Sequence, residues 1–130
     1  PSDLRQQLFR RRGKSRVIIS CHMLHETPTR AALKKLFYRL ADTGADIVKI
    51  VTRAKEPEDN LKVLDLISIA RSHGTPVITF CMGPLGRVSR IVSPMLGGFL
   101  TFASLSRGEE SASGQLTAHE MRDLMKVLAP

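Results

Sequence analysis

The feature that most constrains this chain is a regular alternation of short apolar runs with stretches of helical periodicity. Each run is continuously apolar, which is typical of strands that are buried on both faces. Four such runs are the predicted strands: Arg16–Cys21, Asp46–Val51, Pro76–Cys81 and Gly98–Phe102. Buried strands that alternate with helices predict an α/β fold with a parallel sheet.

Capping signals and apolar spacing predict a helix before the first strand and a helix after each of the four strands. The predicted helices are Ser2–Arg12 before Gly13, Thr27-Pro28 to Gly44, Pro57 to Gly74, Ser89 to about Pro94, and a last one opened by the capping-box pair Thr117 and Glu120. The result is four βα units in succession. Four units make either a small open α/β sheet or half of a TIM (β/α)8 barrel.

The composition predicts an ordinary globular domain. Hydrophobic residues make up 42% and charged residues 25% of the 130 positions, enough for one domain with a core. We therefore expect residues 1–130 to form a single domain. No apolar run approaches the ~20 residues of a membrane-spanning helix, so no membrane partner is expected. The chain begins at Pro1 without a methionine, and we expect it to be processed or cut from a longer chain.

The formal charge of +8 raises the hypothesis of a nucleic-acid partner. The densest basic stretch spans residues 10–16, at the end of the first predicted helix, where cations favour the helix dipole. It has no interleaved aromatic residues, and the whole chain has one Tyr and no Trp. We expect a solvated helix end and no nucleic-acid partner. A basic chain can equally attract an anionic substrate.

The two cysteines, Cys21 and Cys81, each end a predicted strand, and no CxxC pair exists. Buried free thiols in a reducing cytoplasm are the expected state, so the predicted localisation is cytoplasmic. The four histidines show no metal-ligand spacing, and no metal site is predicted.

Lys49 is the least expected residue of the chain, because it lies among the Ile and Val residues of the second predicted strand. Burial of an ammonium group is costly and usually lowers its pKa. A desolvated lysine is a good amine nucleophile, as a Schiff-base enzyme requires. The alternative is a strand-end lysine that reaches solvent or pairs with Asp46. The strand alone does not separate the two.

His22 directly follows the first predicted strand, at the rim where α/β folds carry their functional residues. A histidine there can transfer a proton near neutral pH. The alternative is a loop histidine bonded to the backbone, and His25 competes for the same role. His73 and His119 lie at helix ends, where structural or solvated roles are expected.

Two loops after later strands complete the pattern. Residues 82–90 are rich in glycine and open a helix, where Arg90 could clamp a carboxylate with two hydrogen bonds. The alternative is a plain surface loop with a solvated arginine. Residues 111–115 are small and polar with one glycine, which suggests a mobile lid. The alternative is a flexible connection. Together the signals predict a nucleophile, a base, an anion clamp and a lid at one edge of the sheet.

These motifs, in this order, resemble type I 3-dehydroquinate dehydratases. The matching segments are Ser20-Cys21-His22, Thr27-Pro28, Gly44 to Ile50, Met82 to Arg90, Gly98 to Phe102 and Ser111 to Gln115. The resemblance runs from about Arg16 to the C-terminus, and its specificity lies in the ordered set. An aldolase-type barrel would also carry a Schiff-base lysine, but it would not explain the loop motifs together.

The resemblance implies a reaction and a set of roles. The reaction is syn dehydration of 3-dehydroquinate to 3-dehydroshikimate in the shikimate pathway, with no metal or organic cofactor. The implied catalytic residues are Lys49, which forms the imine, and His22, the general base. The implied substrate-binding residues are Arg90 for the carboxylate, Ser111 and Gln115 in the lid, and Met82 and Phe102 in the apolar wall.

The chain departs from the family pattern in two ways. Ser113 stands where the family usually has proline, which predicts a looser lid. The family also has eight βα units, of which this chain carries the last four. The other half normally supplies a glutamate that partners the histidine and further substrate-binding groups. The expected partners are therefore that N-terminal half or a second copy in a homodimer. The alternative function is a catalytically inactive half-barrel that serves in assembly or as a folding fragment.

Overall fold

The computed structural model describes residues 2–129. Pro1, on which the expectation of processing rests, and Pro130 lie outside the described residues. The elements are α1 (Ser2–Arg11), β1 (Ile18–His22), α2 (Arg30–Ala41), β2 (Ile47–Arg53), α3 (Asp59–His73), β3 (Val77–Met82), a 3₁₀ turn (Pro84–Gly86), α4 (Arg87–Met95) and α5 (Ala118–Leu128). Three of the predicted strands and all five predicted helices are therefore present, with bounds shifted by a few residues.

The strands form one parallel sheet in the order β1-β2-β3. Across the sheet, Ser20 of β1 lies opposite Lys49 of β2, and Lys49 lies opposite Ile78 of β3. Helices join the successive strands, as parallel pairing requires. The predicted α/β class is confirmed, and Lys49 is the third of the seven residues in the middle strand.

The sheet has a core on each face. On one face, Val48 and Ile50 pack with Phe37 of α2 and Val63 of α3. On the other face lies a smaller apolar cluster of Ile47, Val51, Ile78, Phe80 and Met82, with Leu100 against it. Because side chains alternate along a strand, this second face also carries Lys49.

The first strand is less buried than its apolar sequence predicts. Along β1 the residues alternate between exposed and half-buried, and Ile18 is 43% exposed. Within residues 2–129, β1 pairs with β2 on one side and has no strand on the other. Its outer edge is therefore open to pairing with a further strand.

The prediction of a fourth strand at Gly98–Phe102 is wrong. The amide of Phe99 donates to the carbonyl of Val77 at 2.8 Å, but no ladder follows. The hydroxyl of Thr101 instead donates to the carbonyl of Arg90 at 2.9 Å, which ties the segment to α4. The segment therefore contacts β3 and α4 without joining the sheet as a strand.

The predicted cap of α2 is displaced. Thr29 is the N-cap, and its hydroxyl accepts from the amide of Ala32 at 3.3 Å. Thr27 lies outside the helix, where its hydroxyl donates to the carbonyl of Arg53 at 2.9 Å and bonds to Thr52 at 2.8 Å. This threonine therefore links the loop after β1 to the end of β2.

The prediction that Ser89 caps α4 is also wrong, because α4 begins at Arg87. The hydroxyl of Ser89 donates to the carbonyl of Gly86 and accepts from the amide of Cys81, both at 2.8 Å. Ser89 thus fastens the first turn of α4 to the end of β3.

Two helix ends are confirmed. Gly74 ends α3 with a left-handed φ of 84°, a conformation that favours glycine. Thr117 and Glu120 form the predicted capping box of α5, in which each side chain bonds to the backbone of the other residue. Within residues 2–129 no helix is long and apolar enough to cross a membrane.

Candidate active site

The predicted site residues surround one cavity at the C-terminal ends of the strands. Its volume is about 330 Å³, and it is lined by His22, Lys49, Val51, Phe80, Met82, Arg90, Phe102, Ser111, Ala112 and Gln115. All the residues that the sequence predicts for catalysis or substrate binding are among them. The structure therefore brings together side chains from three strands, from α4 and from the connection between α4 and α5.

Lys49 projects into this cavity from the middle of β2. Its ammonium nitrogen lies 4.2 Å from the centre of the Phe102 ring. Burial, and next the positive charge of Arg90, lower the pKa of Lys49 below its usual 10.5. These effects enlarge the fraction of neutral amine, the form that attacks a carbonyl group.

Asp46 is not the partner of Lys49. Its carboxylate accepts hydrogen bonds from the guanidinium of Arg12 and from the amide of Val17, the latter at 2.7 Å. The alternative of an Asp46–Lys49 pair is therefore wrong. The acidic side chain instead fixes the chain just before β1.

His22 ends β1 at the mouth of the cavity. Burial, and next the positive charge of Lys49, lower the pKa of His22 below 6.5. The imidazole is therefore mainly neutral at neutral pH, as a general base must be. His25, its competitor in the sequence, does not line the cavity.

The remaining histidines have other surroundings. Nδ1 of His73 lies 3.0 Å from the hydroxyl of Thr75, and its ring packs edge-on against Phe37. His119 is 81% exposed and lies 3.1 Å from the carboxylate of Asp123 on the same helix. The structural and solvated roles expected for these two residues are confirmed.

Arg90 is almost fully buried, with 1% of its surface exposed. Its guanidinium lies 4.4 Å from the centre of the Phe80 ring, and Nη2 donates to the carbonyl of Ser113 at 3.2 Å. Among residues 2–129, Nε has no hydrogen-bond partner. The alternative of a solvated arginine is wrong. A buried cation with an unpaired N–H can bind a carboxylate strongly.

The lid segment is ordered by its own side chains. The amide and hydroxyl of Ser111 bond to the side-chain oxygen of Gln115 at 2.9 and 3.3 Å. The amide of Gly83 donates to the carbonyl of Ser113 at 3.0 Å, which fastens the lid to the loop after β3. Proline would offer the same carbonyl at this position, so the looser lid inferred from Ser113 stays a prediction.

The cavity is cationic. Lys49 and Arg90 contribute positive charge, and no Asp or Glu of the described chain lines the cavity. Apolar side chains make up much of the wall, which strengthens electrostatic interactions inside it. Such a site suits a small anionic molecule with a carbonyl group within reach of Lys49. No three His, Cys, Asp or Glu of residues 2–129 are grouped to hold a metal.

Three cavity residues were not predicted from the sequence. Val51 and Phe80 lie two positions from Lys49 and Met82 respectively, so strand alternation puts each pair on one face. The two-residue period of a strand could therefore have identified both Val51 and Phe80 from the sequence. Ala112 lies inside the predicted lid, but its small side chain gives no chemical signal.

A parallel βα succession with a lysine-lined cavity at its strand ends is the arrangement of part of a (β/α)8 barrel. The family model described as type I 3-dehydroquinase matches residues 1–129, and the chain belongs to that family. The resemblance that the motifs indicate is thereby confirmed.

Individual proteins and structures similar to this chain are 3-dehydroquinate dehydratases. The chain is 42% identical over 118 residues to the 3-dehydroquinate dehydratase of Pyrococcus abyssi, covering 91% of this chain and 52% of that protein. It is 38% identical over 111 residues to that of Desulfotalea psychrophila, covering 85% and 49%. The crystal structure of 3-dehydroquinate dehydratase from Geobacillus kaustophilus superposes with a TM-score of 0.85 at 30% identity, covering 98% of this chain and 48% of that one.

The chain thus spans about half the length of the relatives it matches. The half-barrel fold expected from four βα units is confirmed by this coverage, although the last unit lacks a regular strand.

Proposed function

We propose that this chain carries the reacting half of a 3-dehydroquinate dehydratase, which converts 3-dehydroquinate into 3-dehydroshikimate and water. The observation that carries the proposal is the position of Lys49. It lies mid-strand in a cationic cavity, its pKa is lowered, and His22 and Arg90 line the same cavity. Membership of the type I family supports the choice of substrate.

In the proposed reaction, the neutral amine of Lys49 attacks the ketone of the substrate, and loss of water gives a protonated imine. The imine withdraws electrons from the adjacent carbon, C2, and so stabilises the enamine formed when that carbon loses a proton. No metal or organic cofactor takes part in this scheme, since the imine supplies the electron sink.

His22 is the proposed base. Its neutral imidazole takes the C2 proton and, as the imidazolium, gives a proton to the hydroxyl on the next carbon, which leaves as water with syn geometry. Water finally hydrolyses the imine, which releases 3-dehydroshikimate and restores the amine of Lys49. The net change is the loss of one water molecule. General base catalysis of this kind contributes roughly 10²–10⁴-fold in rate.

Arg90 and the lid have binding roles. Arg90 lines the cavity, and its Nε–H has no hydrogen-bond partner within residues 2–129, so a substrate carboxylate could pair with it. Ser111 and Gln115, already bonded to each other, would close over the substrate, and Met82 and Phe102 would exclude water. These positions support the roles that the family resemblance implies.

We further propose that residues 1–130 form one half-barrel domain, which another set of βα units completes. Two features support this. The outer edge of β1 is unpaired within residues 2–129, and α1 exposes Leu4 and Leu8 by 69% and 53%. The units could come from an N-terminal half or from a second copy in a homodimer. Cys81 is a buried free thiol, whereas Cys21 is only partly buried, and free thiols fit a cytoplasmic location.

The inactive assembly module is the less supported alternative. An idle half-barrel would have no need to keep an amine, a neutral imidazole and a guanidinium at one cavity. The amine and the guanidinium each have a cost, because burial disfavours their charged forms.

Trapping of the imine tests the proposed function. The chain is treated with 3-dehydroquinate and sodium borohydride, its intact mass is measured, and the modified peptide is identified. We expect one reduced adduct, located on Lys49. It should vanish in Lys49→Ala and persist in Lys55→Ala, which removes an exposed lysine after β2. Absence of an adduct, or one that survives Lys49→Ala, would overturn the proposal.

A further inference from the structure

Asn60 is a buried polar residue outside the cavity, with 4% of its surface exposed. It lies in the first turn of α3. Its side-chain nitrogen donates to the carbonyls of Pro57 and Leu85, at 2.9 and 2.8 Å. Its side-chain oxygen accepts from the amide of Ser89 at 3.2 Å. Both donors of the amide group are therefore used, and its oxygen is engaged.

Two of these three bonds reach the segment that carries Arg90. Leu85 lies in the 3₁₀ turn before α4, and Ser89 directly precedes Arg90. The Ser89 hydroxyl adds bonds to Gly86 and Cys81. Asn60 and Ser89 together therefore hold the start of α4 between α3 and the end of β3.

The bond to Ser89 meets a need of helix α4. The first amides of an α-helix have no partner within the helix, and a side chain usually caps them. The N-cap of α4 is Gly86, which has no side chain to offer. Asn60 supplies the missing acceptor from another helix.

The position of Arg90 depends on this first turn more than on partners of its own. Its guanidinium has one hydrogen bond within residues 2–129, to Ser113, and otherwise contacts the Phe80 ring. A small rotation of the first turn would therefore move the guanidinium. Displacements of about 1 Å in a positioned binding group can cost 10²-fold in rate.

We propose that Asn60 is a positioning residue for Arg90. It caps α4 from α3 and thereby sets where the guanidinium lies in the cavity. Asn60 does not line the cavity itself, so it acts on the substrate only through Arg90. The effect on substrate rests on the proposed function, in which Arg90 binds the carboxylate.

Three variants separate positioning from general stability. Asn60→Ala removes all three bonds. Asn60→Asp keeps an acceptor for Ser89 but loses the donor to Leu85, and it serves as the test if the alanine variant does not fold. The control is Asp59→Asn, at the same helix start. Asp59 is equally buried, but its carboxylate bonds to Lys55, Glu56 and Lys62 and not to α4.

The first readout is the Nε–H signal of Arg90 in a ¹⁵N–¹H spectrum, assigned by its loss in Arg90→Gln. The Phe80 ring below the guanidinium shifts this signal, so it reports where the group lies. We expect the chemical shift of this signal to change in Asn60→Ala, to change less in Asn60→Asp, and to be unchanged in Asp59→Asn. A signal that stays in both Asn60 variants overturns the proposal.

The second readout is the 3-dehydroquinate concentration that half-saturates borohydride trapping on Lys49. It should rise about 10-fold in Asn60→Ala. In an Arg90→Gln background the same substitution should add nothing, because the two residues act in series. Fully additive effects overturn the proposal. If the parent chain gives no adduct, the proposed function fails, and the Arg90 signal alone decides the role of Asn60.

Discussion

The amide of Gly83 donates a 3.0 Å hydrogen bond to the carbonyl of Ser113. The same carbonyl accepts from Nη2 of Arg90 at 3.2 Å, so the loop after β3 and Arg90 share one acceptor in the lid. At the next residue, Gly114, φ is +80°, and an added Cβ would lie 2.2 Å from the carbonyl oxygen of Gly83. The lid can therefore dock only with glycine at this position.

Gly114→Ala should keep the lid from docking. The methyl group clashes with backbone, which cannot move aside as a side-chain end could. We expect the 3-dehydroquinate concentration for half-saturated trapping on Lys49 to rise about 10-fold. Gly108→Ala is the matched control, because φ there is +88° but no atom lies within 4 Å of the added Cβ. Equal effects of the two variants would show that backbone strain, and not lid docking, is responsible.

Much of the fold is readable from the sequence because the apolar runs are long enough to set strand positions. β2 and β3 fall within two residues of their predicted bounds. The fourth run, Gly98–Phe102, has the composition of a strand but makes only one backbone bond to β3. The apolar composition of a segment indicates that it is buried. Whether the segment forms a strand also depends on the backbone that lies beside it, which the sequence does not show.

The site was predictable at the level of residue positions, since residues after successive parallel strands meet at one edge. The hydrogen-bond partners of these residues were not predictable. The sequence left open a Lys49–Asp46 pair, and only the fold shows Asp46 bonded to Val17 and Arg12. Asn60 gave no signal, because its bonds reach residues 25 and 29 positions away. Such contacts depend on how two helices pack.

Lys49→Met should stabilise the chain at neutral pH. Because the pKa of Lys49 is lower in the folded state than its usual 10.5, the unfolded chain binds the proton more tightly. Charged Lys49 therefore destabilises the fold. The increase in unfolding free energy in Lys49→Met should be complete below the folded-state pKa of Lys49. It should disappear as pH rises towards 10.5. Urea unfolding at neutral and alkaline pH measures it.

Lys55→Met is the control for that gain, because Lys55 is exposed and lies outside the cavity. It should leave the urea midpoint nearly unchanged at both pH values. A Lys49→Met variant less stable than Lys55→Met at neutral pH would contradict the prediction. The contact of Lys49 with the Phe102 ring would then outweigh its burial.

His22 should titrate below 6.5 and respond to Lys49. Burial and the Lys49 charge both lower the pKa of His22, so the neutral base form persists below neutral pH. Turnover should fall only when the pH drops through this lowered pKa. In Lys49→Met the loss of positive charge should raise the pKa of His22 towards 6.5, as an NMR titration of its ring protons would show. Lys126→Met, on α5, is the control. An unchanged His22 titration in Lys49→Met would refute the coupling.

The capping box that opens α5 should make the stability of the chain depend on pH in the acid range. Hydrogen bonds from the Thr117 amide, the Arg107 guanidinium and the Thr117 hydroxyl lower the pKa of Glu120 from 4.5 to about 2. A carboxyl whose pKa is lower in the folded state contributes stability above its unfolded value. That contribution should be lost as pH falls from 4.5 to about 2.

Glu120→Gln isolates this contribution, because glutamine can occupy the same place in a capping box without the charge. The difference in unfolding free energy between the parent and Glu120→Gln should be present at neutral pH and vanish near pH 2. Glu58→Gln is the control, since Glu58 makes no side-chain cap bond at α3. If the difference between the parent and Glu120→Gln stays constant from neutral pH to pH 2, the bond geometry stabilises α5 and the carboxylate charge does not.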